Sequence, residues 1–239
     1  STGIGAMIAR GFVENGAKVY ITARKPEFLD ATQAELAELG ECVAIQSDLS
    51  SMEGLAAFAD EVLAREDKID ILINNAGATW GAPIDEFPET GWDKVMDLNV
   101  KSIFFLTQRF LPALRAAGEV GDPSRVVNIA SINGITHPGM NNYSYSASKA
   151  AVIQLTRHMA ADLGPDGINV NGIAPGFFPS KMTKHLLPHE EEMSKGIPTR
   201  SLGQAEDAAG TTIFLCSRAS NYLCGHTIAM DGGMIAQAG

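Results

Sequence analysis

Short stretches rich in β-branched residues alternate along this chain with amphipathic segments of helix length, and that alternation constrains the fold more than any other feature. "AKVYIT" (17–22), "CVAIQS" (42–47), "DILINNA" (70–76), "RVVNIAS" (125–131), "INVNGIA" (168–174) and "HTIAM" (226–230) read as strands. Helices are expected between them, near 3–15, 26–39, 52–66, 89–117, 143–163 and 204–217. Strand, helix, strand in repetition is the pattern of parallel strands joined by crossover helices. The strands are apolar almost throughout, which implies a sheet covered on both faces. The expected fold class is α/β: a doubly wound Rossmann domain with a parallel sheet and helices on both faces.

The chain starts inside a glycine-rich turn. "STGIGAMIARGFVENGAKVYI" (1–21) runs from that turn straight into a helix with no strand before it. In a dinucleotide-binding βαβ unit the turn follows the first strand, which sits in the middle of the sheet. Roughly ten or more further residues, enough for one strand, are therefore expected upstream.

The 239 residues and 45% hydrophobic content suffice for a full core, and no linker, charge block or repeat divides them, so a single domain over 1–239 is expected. A net charge of −10 without a basic patch argues against nucleic acid or an anionic membrane surface as partner. Cys42, Cys216 and Cys224 are odd in number and lack metal-ligand spacing, so they read as reduced structural thiols, and no metal is expected. No apolar run reaches membrane-spanning length and no signal-peptide pattern opens the sequence. A cytoplasmic protein is the expectation.

Gly3 and Gly5 would let the backbone approach a pyrophosphate, held by the amides that open the following helix, with Ser1, Thr2 and Ile4 completing the turn. The position about 20 residues on separates the two nicotinamide cofactors: a carboxylate there accepts from a ribose hydroxyl, whereas arginine accommodates a 2′-phosphate. Arg24 and Lys25 stand there, which predicts NADP(H). Two later strand ends face the same crevice. Asp48, followed by Leu49, could accept from an adenine amino group or could cap the next helix. "NNAG" (74–77) supplies Asn75, Ala76 and Gly77.

"NNYSYSASKAA" (141–151) holds two tyrosines and one lysine. Side chains four apart share a helix face, so Tyr145 meets Lys149, whereas the corresponding neighbour of Tyr143 is Ala147. An ammonium beside a phenol favours the phenolate, so Lys149 is expected to lower the pKa of Tyr145 and suit it to acid–base work near neutral pH.

With "TGIG" (2–5), "NNAG", "LNV" (98–100), "NIAS" (128–131), "YSASK" (145–149), "INVNGIAPG" (168–176) and "MDGG" (230–233) in order, the sequence resembles the short-chain dehydrogenase/reductase family over nearly its whole length. The resemblance implies hydride transfer between a nicotinamide and a ketone or secondary alcohol. It implies an active site of Ser131, Tyr145 and Lys149, with Asn99 holding a water that links Lys149 to solvent. Tyr145 would exchange a proton with the substrate oxygen, Ser131 would hydrogen-bond that oxygen, and Lys149 would stabilise the phenolate and reach the nicotinamide ribose. It further implies cofactor contacts from Pro175, Gly176 and Phe178 and, beyond the interposed Pro179, from Ser180 or Thr183 in place of the family's usual threonine, with Met182 beside them. Thr2 stands where NADP-using relatives often carry a basic residue, which leaves the phosphate to Arg24 and Lys25. A homo-oligomer, a tetramer built through the long helices and the C-terminal segment, is also implied.

Residues 177–200 form a long segment over the expected site and read as a substrate lid. Trp80, Asn133, His137 and Phe178 join Ser131 and Tyr145 as candidates for contact with substrate. The run "PGFFPSKMTKH" (175–185) is similar to that of NADPH-dependent 3-oxoacyl reductases, so an acyl thioester or another small-molecule ketone is the leading substrate class. A sugar, polyol or steroid dehydrogenase and a non-catalytic NADP(H)-binding regulator are the alternatives.

Overall fold

β-branched and aromatic side chains dominate the short segments, and there the chain extends. The computed structural model describes residues 3–137, 139–179 and 190–237. Its strands are β1 (Val19–Ala23), β2 (Cys42–Gln46), β3 (Ile71–Asn74), β4 (Ser124–Ile129), β5 (Ile168–Pro175) and β6 (Thr227–Met230). Its α-helices are α1 (Ile4–Glu14), α2 (Pro26–Ala37), α3 (Met52–Leu63), α4 (Glu89–Met96), α5 (Ser102–Ala117), α6 (Tyr143–Leu163), α7 (Glu190–Lys195), α8 (Ala205–Cys216) and α9 (Met234–Gln237).

Local chemistry sets the ends. Pro26 opens α2 behind an extended Lys25, where a missing N–H costs nothing. The Ser51 hydroxyl accepts the Gly54 N–H at 3.0 Å and caps α3. At α8 the Gln204 N–H donates to Asp207 at 2.8 Å as part of a reciprocal capping box. The single helix expected over 89–117 is interrupted: a π-turn over Asp97–Lys101 separates α4 from α5, with the Ser102 N–H reaching back to the Asp97 carbonyl. Such turns insert an extra residue into a helix and frequently sit at functional sites.

Each strand pair is parallel, and each crossover between paired neighbours carries helix, as a parallel sheet requires. The strands form two sheets, β1-β2 and β3-β4-β5-β6, rather than the one expected. Among the described residues no strand bonds to both β1 and β3, and β1 is half-buried along its whole length whereas β4 is buried throughout.

β4 shows why helices cover both faces. Its alternate residues point opposite ways. Val126 joins Leu55, Leu106, Phe110 and Ile168 under α3, α5 and α6, while Val127 and Ile129 join Ile8, Ile173 and Leu215 under α1 and α8. Burying each such side chain contributes about 1.5–3 kcal/mol before entropy is counted.

One polar chain crosses the first of these cores. Asn74 donates to the Thr107 hydroxyl at 3.2 Å and to Asn128 Oδ1 at 2.9 Å, and Asn128 donates to the Thr156 hydroxyl at 2.9 Å. Both hydroxyls donate in turn to helix carbonyls of Ile103 and Val152. Because strands within a sheet run the same way, the residues that follow them gather at their carboxyl ends: Arg24 after β1, Asp48 after β2, Asn75–Gly77 after β3, Ser131 after β4 and Gly176 after β5.

Candidate active site

Gly3 caps α1 with φ 80°, a conformation that favours glycine, and its carbonyl accepts the Ala6 and Met7 amides at 3.0 and 3.1 Å. A side chain on Gly5 would collide with Asn75 Nδ2, so the turn after β3 lies directly against the start of α1. The first turn of α1 carries no acidic residue to oppose an anion. Arg24 is exposed just past β1, and its carbonyl accepts from Gln46 at 3.0 Å.

The two uses open to Asp48 separate in the structure. Ser51 performs the capping, while Asp48 Oδ1 accepts from the Ser50 N–H at 3.0 Å and hydroxyl at 2.7 Å. Partial burial works to raise the Asp48 carboxyl, but the Ser50 bonds and the Arg24 charge prevail and hold it below its ordinary value. Arg24 and Asp48 therefore sense each other across the ends of β1 and β2. The Leu49 side chain is buried in the core, so only its backbone can serve a cofactor.

Tyr145 begins the second half of the first turn of α6, and its phenol lies near enough to Ser131 for that side chain to work against the rise in its pKa. Ser131 also accepts the Asn133 N–H at 3.2 Å and so caps the short 3₁₀ turn Ile132–Gly134. Lys149, one turn beyond Tyr145, is 4% exposed and its Nζ donates to the Ile129 carbonyl at 2.7 Å. Burial pushes its pKa down to about 8.

The expected lowering of the Tyr145 pKa is corrected. Burial raises it, and only the Ser131 side chain pulls the other way. The Lys149 ammonium stands 5.6 Å from the Tyr145 ring centroid, over the ring, and donates to the Ile129 carbonyl rather than to the phenol.

Asn99 lies in the π-turn and is fully buried. Its Oδ1 accepts the Ala78 N–H at 2.8 Å, and its Nδ2 donates to the Ala78 carbonyl and to the Ser148 hydroxyl, each at 2.9 Å. The Ser148 hydroxyl then donates to the Tyr145 carbonyl at 2.7 Å. Both amide hydrogens being committed, the side chain clamps the loop after β3 to α6. The second Oδ1 lone pair and the backbone remain for the expected water. A Cβ on Gly77 would lie 3.4 Å from Asn99 Oδ1 and 3.7 Å from Lys149 Nζ, so "NNAG" ends on top of both groups.

Other expected contacts are redistributed. The Phe178 side chain is 3% exposed and packs with Ile8, Ile173 and Ala208 against Gly203, inside the core rather than facing a substrate. Trp80 packs on Gly91 and takes the Lys94 ammonium over its ring at 5.2 Å, which fastens the loop after β3 to α4. Pro175 is buried at the end of β5, and the Gly176 N–H bonds the Met230 carbonyl at 2.9 Å beside Asp231. Asn133 is half-buried next to Ser131, and His137 is exposed. Ser1, Thr2, Ser180, Met182 and Thr183, with most of the expected lid, lie outside the described residues. Sequence reasoning missed the Asn99–Ala78–Ser148 clamp, whose partners stand far apart in the chain and carry no periodic signal.

A family model described as enoyl-(acyl carrier protein) reductase matches residues 1–235. A rhamnolipids biosynthesis 3-oxoacyl-(acyl-carrier-protein) reductase of Pseudomonas aeruginosa is 44% identical over 236 residues, covering 98% of this chain and 92% of that protein. The chain belongs to the short-chain dehydrogenase/reductase family. This short-chain dehydrogenase/reductase is also 36% identical over 243 residues to the gluconate 5-dehydrogenase of Gluconobacter oxydans, covering 98% of this chain and 91% of that one. Among solved structures, the Pseudomonas aeruginosa RhlG/NADP active-site complex superimposes with a TM-score of 0.94 at 44% identity, covering 98% of this chain and 92% of that one. The fold is accordingly Rossmann-like, and the protein is an oxidoreductase of a family acting on alcohol and ketone groups. No helix among the described residues is long and apolar enough to cross a membrane.

Proposed function

We propose that this protein is an NADPH-dependent reductase of 3-oxoacyl thioesters, with Tyr145 as proton donor. The observation that carries the reading is the hydroxyl pair of Ser131 and Tyr145, backed by the buried Lys149, at the carboxyl edge of β4.

The residues present fit a dinucleotide. Gly3 has the positive φ that a tight phosphate turn needs, and Gly5 leaves only enough room for the Asn75 side chain. The opening turn of α1 would hold the pyrophosphate, Arg24 and Lys25 the 2′-phosphate, Asp48 the adenine, and Lys149 the nicotinamide ribose. When bound, the nicotinamide supplies or takes the hydride at the carbonyl carbon.

Every other task falls to this chain. Ser131 donates a hydrogen bond to the substrate carbonyl oxygen and holds it beside the phenol. Tyr145 passes its phenolic proton to that oxygen as charge develops there, completing the alcohol. Its raised pKa keeps the proton in place until then. Lys149, at about 8, carries a proton at neutral pH and returns one to Tyr145. Asn99 positions the loop that crosses above Lys149 and, through Ser148, the first turn of α6.

A single catalytic domain, a lid over 177–200, a cytoplasmic location and a homotetramer complete the proposal. Exposed Trp92 on α4 and Phe104 on α5, at 41% and 42%, support contact between copies through that helical pair. The test follows NADPH and NADH oxidation with an acetoacetyl thioester and, in parallel, with 5-ketogluconate. Turnover of the thioester with NADPH is expected. Turnover of the sugar acid alone would replace the substrate proposal, and NADPH binding without turnover of any ketone would favour a regulatory protein.

A further inference from the structure

The first turn of α6, which carries Tyr145, has no side-chain cap of its own. Asn142 stands at the N-cap position, but its side chain bonds none of the free amides, and its buried Oδ1 has no partner among the described residues. A helix start left in that state frays unless something outside the helix holds it.

The loop after β3 supplies the hold. Its Ala82 N–H donates to the Asn141 carbonyl at 3.1 Å, one residue before the cap position. Farther along, the Phe87 ring meets the Tyr143 ring edge-on at 5.9 Å and the Trp92 ring of α4 edge-on at 6.4 Å. Tyr143 is the first residue of α6, two before Tyr145. Phe87 is thus the middle ring of three that join α4 to the start of α6, in the geometry that the ring quadrupoles favour.

Phe87 is itself held firmly. Pro83 leads into the 3₁₀ turn Ile84–Glu86, whose Glu86 N–H bonds the Pro83 carbonyl at 3.1 Å. On the other side the Pro88 carbonyl accepts the Gly91 and Trp92 amides at 3.0 and 3.2 Å. The two prolines fix φ on both sides of the phenylalanine. A reacting group displaced by about 1 Å can lose roughly a hundredfold in rate, so the anchoring of this turn bears on turnover as well as on stability.

We propose that Phe87 is a positioning residue for proton transfer: through Tyr143 it fixes the uncapped turn that presents the Tyr145 phenol. The inference rests on the reading of Tyr145 as proton donor.

The test uses the intact protein and whichever of an acetoacetyl thioester and 5-ketogluconate the wild type reduces. It measures kcat, KM for NADPH and the solvent deuterium isotope effect on kcat. The variants are Phe87→Ala, Phe87→Tyr, Tyr143→Ala, the double alanine variant and, for reference, Tyr145→Phe. Phe87→Ala should lower kcat about tenfold and leave KM for NADPH within about twofold. Its isotope effect should rise as proton transfer becomes the slow step. Phe87→Tyr keeps the ring and should restore kcat. The double variant should stay within about twofold of the slower single one, because both substitutions break one contact.

Unchanged kcat in Phe87→Ala, no recovery in Phe87→Tyr, or losses that multiply in the double variant overturns the inference. If Phe87→Ala does not fold, Phe87→Leu, which keeps apolar bulk without the ring, is read by the same criteria. Full turnover by Tyr145→Phe overturns the proton-donor reading and the inference together. Its loss beside full activity in Phe87→Ala overturns the inference alone. A wild type that reduces neither ketone overturns both.

Discussion

The Nζ of Lys149 stands 5.6 Å from the Tyr145 ring centroid and donates to the Ile129 carbonyl at 2.7 Å, so the two residues share a helix face without sharing a hydrogen bond. Tyr145→Phe should therefore remove the proton donor while leaving the lysine anchored. We expect kcat to fall about 10³-fold with NADPH binding retained. Tyr143→Phe should stay within about twofold, because Tyr143 packs edge-on against Phe87 at 5.9 Å on another side of the helix. Steady-state kinetics with fluorescence titration of NADPH checks both, and comparable losses in the two variants would contradict the assignment.

Lys149 also gives a pH signature. Its folded pKa of about 8 lies below the ordinary 10.5, so between those values the unfolded chain binds more protons and stability rises with pH. As pH falls through about 8 the contribution is lost, by about 3 kcal/mol in all. Lys149→Met should abolish that slope. Urea unfolding midpoints at intervals from pH 7.5 to about 10.5 measure it, and parallel curves for the two proteins would refute it.

Arg24→Asp should weaken NADPH relative to NADH by roughly 10- to 100-fold, the range of a charge-assisted hydrogen bond made or lost. The ratio of kcat/KM for the two cofactors reports it. An unmoved ratio would mean that the 2′-phosphate is read elsewhere.

Asn99→Ala should cost about 2–4 kcal/mol, because it leaves the Ala78 N–H and carbonyl without their buried partner. A melting-point loss of roughly 5–15 °C follows for a chain of this size. Asn99→Asp, which keeps the acceptor and loses both donors, should recover part of it. Equal losses in the two variants would show that the clamp is not made by hydrogen bonds.

Ser51→Ala should destabilise by about 1 kcal/mol without raising KM for NADPH, whereas Asp48→Ala should raise that KM with a smaller effect on stability. The reverse pattern would return the capping role to Asp48.

The sequence makes legible whatever depends on neighbours a few residues apart. The pairing of Tyr145 with Lys149 follows from helix geometry, and every strand and helix expected between 3 and 230 is present within a few residues, except that 89–117 is split in two. What it hides depends on distant partners. Nothing in "NNAG" announces that Asn74 reaches Asn128 across 54 positions, or that Ala78 is held by Asn99. The direction of the Tyr145 shift escapes the sequence because desolvation is a property of the assembled core, whereas the i,i+4 rule counts only the neighbouring charge. The π-turn within 89–117 is invisible for a related reason: one extra residue barely disturbs the apolar period.

The Thr107–Asn74–Asn128–Thr156 chain also acts as a proofreader of assembly. Asn74 and Asn128 are direct partners across β3 and β4. Sliding β4 by a single residue would turn Asn128 toward the face of Val127 and Ile129, among Ile8 and Leu215, where its amide would meet only hydrocarbon. Misaligned pairings are thus penalised by several stranded polar groups at once, and Ser131, three positions beyond Asn128, is delivered to Tyr145 in only one alignment.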